Sequence, residues 1–291
     1  MKLLHIHAHH DDFEFVAAGT FEMWRRKLGA DLQARVIVCT DGKAGHHFRT
    51  REETGRLRHE EQKASAAIGG WEYQQLVDFN GATFREGAFS VDTKFLAALW
   101  KTIRDFEPDY LFCPPLAADP LAGMHSDHVT VADGVRRVAY MINVPHAFTP
   151  EYPADESKST PCKVPVILNV HDGYMSGANA FDLAVDVAAA FEKIVDMTWC
   201  HQSQIAEWLP WVDRHNLVKP ESKSDWAEQI RELMRRRNLE MGMSPAEAAE
   251  FFKITAWGRV PGAETILRDF PALKDPEQTS VRLNEQLARW R

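Results

Sequence analysis

His5-Ile6-His7-Ala8-His9-His10-Asp11-Asp12-Phe13-Glu14 decides how the rest of the chain is read. An apolar lead of Leu3, Leu4, Ile6 and Ala8 runs directly into two histidines, two aspartates and a glutamate. Phe15-Val16-Ala17-Ala18-Gly19 then opens a segment with helical spacing. This is the pattern of a buried first strand that ends in a turn packed with ionisable groups and restarts as a helix. In open α/β sheets, ligands bind just beyond the carboxyl ends of the strands. Four or five ionisable groups crowded at such a place are unfavourable unless something positive binds between them.

Outward from that turn, strands and helices alternate. A helix is expected over residues 15–28 with Gly29 as its C-cap. Residues 34–40 form a compact β-branched strand, 50–68 a helix rich in Arg, Glu, Gln and Ala, and 71–79 a third strand. An amphipathic helix follows over 91–106, a strand over 110–113 and a helix over 129–141. Residues 144–163 are proline-rich without periodicity and read as a long loop, and 164–170 as the next strand. Helices are expected over 184–204, over 224–241 and, behind Ser244 as cap, over 245–254. The alternation implies an α/β fold: a Rossmann-like, doubly wound, mainly parallel sheet with helices on both faces. Residues 1–220 are expected to carry that domain, and 221–291 a helix-rich C-terminal extension packed on it.

The bulk of the 291 residues, 45% hydrophobic and 26% charged, is ordinary for a globular protein. A net charge of −8 without a long basic run argues against a nucleic-acid or anionic-membrane partner. Cys39, Cys113, Cys162 and Cys200 form no CxxC pair and read as free thiols in a reducing compartment. There is no signal-type apolar core at the N-terminus and no apolar run of membrane-spanning length, so the cytoplasm is the expected location. Homo-oligomerisation is left open by the sequence.

The chemistry follows from two clusters. His9 and Asp12 flank the end of the first strand, and His125 and His128 stand three apart where a loop enters a helix after a later strand. In a doubly wound sheet these loops converge on one crevice. His9, Asp12 and His128 are then three imidazole and carboxylate ligands that leave a divalent metal an open position, the pattern of a catalytic Zn2+ site. Fe2+ or another divalent ion suits the same donors. Asp11 is free to face the open position as general base, and His125, if protonated, to stabilise an oxyanion. Glu14 reads as a supporting carboxylate near the helix start.

Ala8-His9-His10-Asp11-Asp12-Phe13-Glu14 resembles the Ala-His-Pro-Asp-Asp-x-Glu signature of PIG-L-type (LmbE-like) zinc-dependent N-acetylglucosaminyl deacetylases. His125-Ser126-Asp127-His128 resembles that family's His-Pro-Asp-His. Arg58-His59-Glu60-Glu61-Gln62 is similar to its Arg-x-Glu-Glu helix, and Val185-Asp186-Val187, Phe191-Glu192-Lys193 and His201-Gln202-Ser203-Gln204 to its later stretch. The resemblance spans residues 1–205 and implies a Rossmann-like hydrolase that removes an acetyl group from an amino sugar or related N-acyl compound. It implies the same ligands, the same base and the same oxyanion residue, and makes Arg58 a substrate or supporting arginine.

The chain departs from the family where His10 and Ser126 replace prolines, and His10 becomes a candidate substrate contact. Asp119, the pair His46-His47, and His171-Asp172 are further candidates for the rim of the site. Loops 43–49 and 144–163 are expected to decide which small N-acetylated molecule is bound. The tryptophans of the C-terminal third read as core anchors. A dinucleotide-binding role is disfavoured, because no GxGxxG follows the first strand and Asp11 and Asp12 would repel a pyrophosphate. A phosphoesterase would want a second metal and more carboxylates. A metal- or sugar-binding protein without turnover, and an amidase acting on a non-sugar N-acyl compound, are the alternatives to the sugar deacetylase.

Overall fold

A computed structural model describes residues 1–157, 161–213 and 217–290. Residues 158–160 of the expected 144–163 loop lie outside the described residues. Among the described residues seven strands form one sheet: β1 (Lys2–His7), β2 (Gln33–Val38), β3 (Glu72–Gln75), β4 (Tyr110–Cys113), β5 (Val166–Val170), β6 (Leu183–Asp186) and β7 (Ala249–Ile254). Their order is β3-β2-β1-β4-β5-β7-β6. The strands from β3 to β5 in that order pair in parallel, and β7 runs antiparallel to both β5 and β6. The sheet is therefore mixed and mostly parallel. Leu3, Leu4 and Ile6 of β1 are fully buried, as a strand covered on both faces requires.

Helices cover both faces. On one side lie α1 (Asp12–Val16), α2 (Ala18–Leu28), α3 (Arg51–Gly69) and, further along, α6 (Phe191–Trp199) and α8 (Lys223–Glu240). On the other lie α4 (Thr93–Phe106) and α5 (Ser126–Met141), whose Phe95, Leu99, Ile103, Val131 and Val135 form a second core. The short α7 (Leu209–Val212) follows a π-helical segment, Ser203–Trp208. The chain closes with α9 (Ala263–Asp269) and α10 (Pro276–Ala288). Local signals explain several starts. Thr50 and Glu53 form a reciprocal capping box on α3, and Asp92 and Ser222 accept backbone N–H groups at the starts of α4 and α8.

Three expected helices are corrected. The single helix over 15–28 is two, α1 and α2, broken at Ala17. Gly19 N and Thr20 N donate to the Glu250 carboxylate at 2.9 and 2.7 Å, while Arg237 Nη2 donates to Phe15 O at 2.7 Å. A continuous helix would instead join Gly19 N to Phe15 O. The helix over 184–204 begins as β6, and the one over 245–254 ends as β7. β7 is almost wholly buried, and a short segment without alternation reads alike as strand or helix. The expected helical extension thus contributes a strand to the central sheet.

Candidate metal centre

The strand order reverses direction between β1 and β4, and the loops leaving β1, β4 and β5 meet at that crevice. The turn after β1 brings His9, Asp11 and Asp12, the start of α5 brings His125 and His128, and the residues after β5 bring His171 and Asp172. His9 Nδ1, Asp12 Oδ2 and His128 Nε2 form a nearly equilateral triangle with edges of 3.2, 3.4 and 3.3 Å. A tetrahedral ion with bonds of about 2.0–2.1 Å sets its ligand atoms about 3.3 Å apart, so the triangle has the dimensions of three corners of such a shell.

Each imidazole is held from behind. His9 Nε2 lies 3.0 Å from Asp127 Oδ2, which also accepts Gly87 N at 2.8 Å. His128 Nδ1 lies 2.9 Å from Asp172 Oδ2. These carboxylates fix which nitrogen faces inward. His7, outside the expected set, brings Nδ1 within 2.6 Å of Asp12 Oδ2. His7, Asp12 and His128 make a second group able to hold an ion, and His9, His125 and His128 a third.

Charge in the cluster favours a cation. Burial alone would raise the Asp12 carboxyl, but His7, His128 and His9 hold it well below the usual carboxylate range. Burial alone would lower the two inward histidines, yet Asp12 and the supporting carboxylates raise His9 to about 10 and His128 to about 9. A site that keeps protons on two buried imidazoles draws positive charge, and a divalent ion can take the place of those protons.

Asp11 points elsewhere. Its backbone lies in the left-handed region (φ 82°), which aspartate tolerates, and its N–H donates to Gln62 Oε1 at 2.9 Å. Across this bend Asp12 meets the imidazoles, while Asp11 Oδ1 lies 3.8 Å from Arg58 Nη2. Burial pushes the Asp11 carboxyl up to about 7, with Arg58 opposing and the charge of Asp12 adding. His125 stands beside the cluster. Burial and the neighbouring His9 and His128 lower it to about 4. Its Nδ1 accepts Asp127 N at 3.3 Å, so the neutral ring carries its proton on Nε2.

These groups line a cavity of about 400 Å³. Arg58 is among them, buried, with Nη1 donating to Glu86 Oε1 at 2.8 Å and Nη2 to His10 O at 3.1 Å. His10 and Asp119 are not. The His10 ring turns away, its Nε2 2.8 Å from Tyr73 Oη. Gly42 (φ 63°) makes room for it, since a Cβ there would come within 2.6 Å of His10 Nδ1. Asp119 is exposed and accepts Leu121 N. His46 pairs with Glu207 at 2.8 Å and His47 stacks on Trp211, both outside the cavity, whereas His171 and Asp172 line it. Glu14 is buried and accepts from Gln62 Nε2 and Ser65 Oγ. No residue of 43–49, and no described residue of 144–163, lines the cavity; the latter segment packs on α4, with Phe148 against Trp100. The cavity is instead completed by residues that the sequence did not place there, among them Glu86, Tyr174, Arg237 and Trp208, the last read as a core anchor.

The sheet order defines a Rossmann-like α/β protein with an imidazole–carboxylate cluster in a cavity at its switch point. Residues 4–139 match the model of PIG-L, GlcNAc-PI de-N-acetylase. Among solved structures it is similar to N,N'-diacetylchitobiose deacetylase from Pyrococcus horikoshii (TM-score 0.63, 18% identity, 87% of this chain and 83% of that one). It is similar to GalB, the 4-carboxy-2-hydroxymuconate hydratase of Pseudomonas putida KT2440 (TM-score 0.63, 14% identity, 87% and 95%). A third similar structure is a deacetylase triple mutant from the teicoplanin biosynthetic pathway (TM-score 0.54, 13% identity, 87% and 97%). At these identities the likeness is one of fold. Comparison with curated protein sequences found no match. Among the described residues no helix is long and apolar enough to cross a membrane.

Proposed function

We propose that the chain is a metal-dependent N-deacetylase, a hydrolase that removes an N-acetyl group from an amino sugar or sugar conjugate. The observation that carries this reading is the triangle of His9 Nδ1, Asp12 Oδ2 and His128 Nε2, with edges of 3.2–3.4 Å, in one cavity with Asp11. Those atoms would hold the ion, and Zn2+ or Fe2+ suits the donors. When bound, the ion supplies Lewis acidity, polarising the amide carbonyl and making water easier to deprotonate.

The chain's own groups do the rest. The Asp11 carboxylate takes the proton of the attacking water, and its value of about 7 suits a group that must also give that proton up. It passes the proton to the leaving nitrogen as the carbon–nitrogen bond breaks. His125 donates its Nε2–H to the oxygen that becomes negative, a task that a neutral imidazole can perform. Asp127 and Asp172 hold His9 and His128 in place. Arg58, tied to Glu86, lies 3.8 Å from Asp11 and favours the charged form of its carboxyl. The family's description as a de-N-acetylase, and deacetylases among the fold neighbours, favour amide hydrolysis over the hydration named for GalB. Mere binding of a metal or sugar would not need Asp11.

The test pairs metal analysis of the purified protein with free-amine release from a panel of N-acetyl sugars and non-sugar N-acetyl amines. About one ion per chain and amine from at least one sugar are expected, with activity lost on chelation and restored by Zn2+. No metal uptake would overturn the ligand set. Metal uptake without amine release from any compound would overturn the deacetylase, and release from non-sugar amines alone would overturn the sugar.

A further inference from the structure

Behind the Asp11 turn lie two polar side chains that take no part in holding an ion. They are Glu14 of α1 and Gln62 of α3, 0% and 1% exposed. We propose that Gln62, oriented by Glu14, is the positioning residue that fixes the left-handed turn at Asp11. It thereby keeps Asp11 apart as the base while Asp12 meets the imidazoles. This rests on the deacetylase reading for the part played by Asp11, and adds the device that separates two adjacent carboxylates.

An aspartate at φ 82° is tolerated rather than favoured, so the turn has to be held. Both backbone groups of Asp11 are engaged. Its C=O accepts Glu14 N at 3.0 Å, and its N–H donates to Gln62 Oε1 at 2.9 Å in a buried bond. A glutamine amide can turn either end toward a backbone N–H, and the wrong end would set donor against donor. Glu14 removes that choice. A carboxylate only accepts, so Gln62 Nε2 donates to Glu14 Oε1, at 2.7 Å, and Gln62 Oε1 is left for Asp11. The same Glu14 oxygen accepts Ser65 Oγ at 2.5 Å and lies 3.3 Å from Nε2 of the fully buried His201. Burial lowers His201, but the charge of Glu14 brings it above its usual value, which favours an imidazolium beside the carboxylate. Ser203 N and Oγ donate to Glu61 at 2.8 and 2.6 Å, which docks the 201–204 stretch on α3. One turn before Gln62, Arg58 Nη2 lies 3.8 Å from Asp11 Oδ1. Two residues at i and i+4 of α3 thus address the side chain and the backbone of Asp11.

The test compares Gln62→Met, Gln62→Glu and the double exchange of Gln62→Glu with Glu14→Gln in the metal-loaded full chain. Amine release from an N-acetyl sugar gives kcat and KM, and hydrogen exchange at the Asp11 amide reads the turn without turnover. Gln62→Met has the length of glutamine and no amide oxygen. It should lower kcat by about ten- to a hundredfold, the range for one buried donor left without its acceptor, with KM and metal content near wild type. Exchange of the Asp11 amide should quicken by a similar factor. Gln62→Glu sets two carboxylates together and should do as badly. The double exchange restores a donor at position 14 beside an acceptor at position 62, and should recover most of kcat and of the protection. A merely structural role would leave kcat per folded chain unchanged in all three. Wild-type kcat in Gln62→Met, or a double exchange no better than Gln62→Glu, overturns the proposal, as does rapid exchange of the Asp11 amide in the wild-type protein. If no N-acetyl compound releases amine, the deacetylase reading fails, while Asp11 protection that depends on residue 62 keeps Gln62 as the holder of the turn. Should Gln62→Met not fold, the isosteric Gln62→Glu with and without Glu14→Gln makes the same comparison.

Discussion

In the proposed mechanism Asp11 is the base and Asp12 a ligand, and the backbone at Asp11 makes that division testable. At φ 82° the position tolerates asparagine as readily as aspartate, so Asp11→Asn removes the charge without disturbing the turn. Metal content should stay as in the wild type, while kcat falls by about 10²–10⁴, the usual worth of a general base. Metal analysis beside steady-state rates checks this, and near wild-type turnover would remove Asp11 from the mechanism. The ligands carry a second prediction. Metal-free protein holds protons on His9 and His128 up to about 10 and 9, and an incoming ion must displace them. Apparent metal affinity should therefore rise with pH everywhere below about 9, by about tenfold per unit for each proton displaced. Chelator competition at pH 6, 7 and 8 measures the slope, and a flat profile would show that the imidazoles bind the ion without giving up protons. The convergence of His9, Asp12, His125 and His128 on one cavity was legible because each pair is close in sequence and both pairs follow strands. His7, Glu86 and Arg237 were not. Their place in the cavity depends on contacts with distant residues, and neither periodicity nor spacing encodes them. His10 and Asp119 erred in the opposite sense: proximity in sequence to ligands does not aim a side chain, and His10 was captured by Tyr73.

The helices with local start signals were the readable elements. The Thr50–Glu53 capping box and the alternation of apolar positions along α4 needed nothing from the rest of the chain. β6, β7 and the break at Ala17 needed all of it. Glu250 sits on β7 yet supplies the acceptors for the first turn of α2, 230 residues earlier. Its two oxygens and the Arg237 guanidinium replace the hydrogen bond that would have fused α1 with α2. Glu250→Gln would turn an amide NH2 toward one of two buried N–H donors. The variant should lose about 1–3 kcal/mol of stability, the cost of a buried donor left unsatisfied. Urea unfolding measures it, and an unchanged midpoint would mean that the break at Ala17 is set by packing of Gly19 against Val187 and Ile194 rather than by the carboxylate.

We propose that residues 221–291 belong to the same folding unit as 1–220. β7 lies between β5 and β6, so its removal strips hydrogen bonds from two strands and leaves β6 with no partner strand. Trp226, Ile230, Leu283 and Leu287 are buried in the same core as Leu3, Phe13 and Phe112 of the N-terminal part. Glu250 and Arg237 complete the turn between α1 and α2, which follows directly on the ligand turn. A chain stopped after residue 220 would expose that core and an unpaired strand edge together, which favours aggregation over a smaller native state. It should show no cooperative thermal transition and take up no metal, whereas the full chain unfolds in one step. A truncated protein that melts cooperatively and binds Zn2+ would mean that β1 to β5 with their helices suffice, and that the C-terminal part serves only to shape the cavity wall around Arg237.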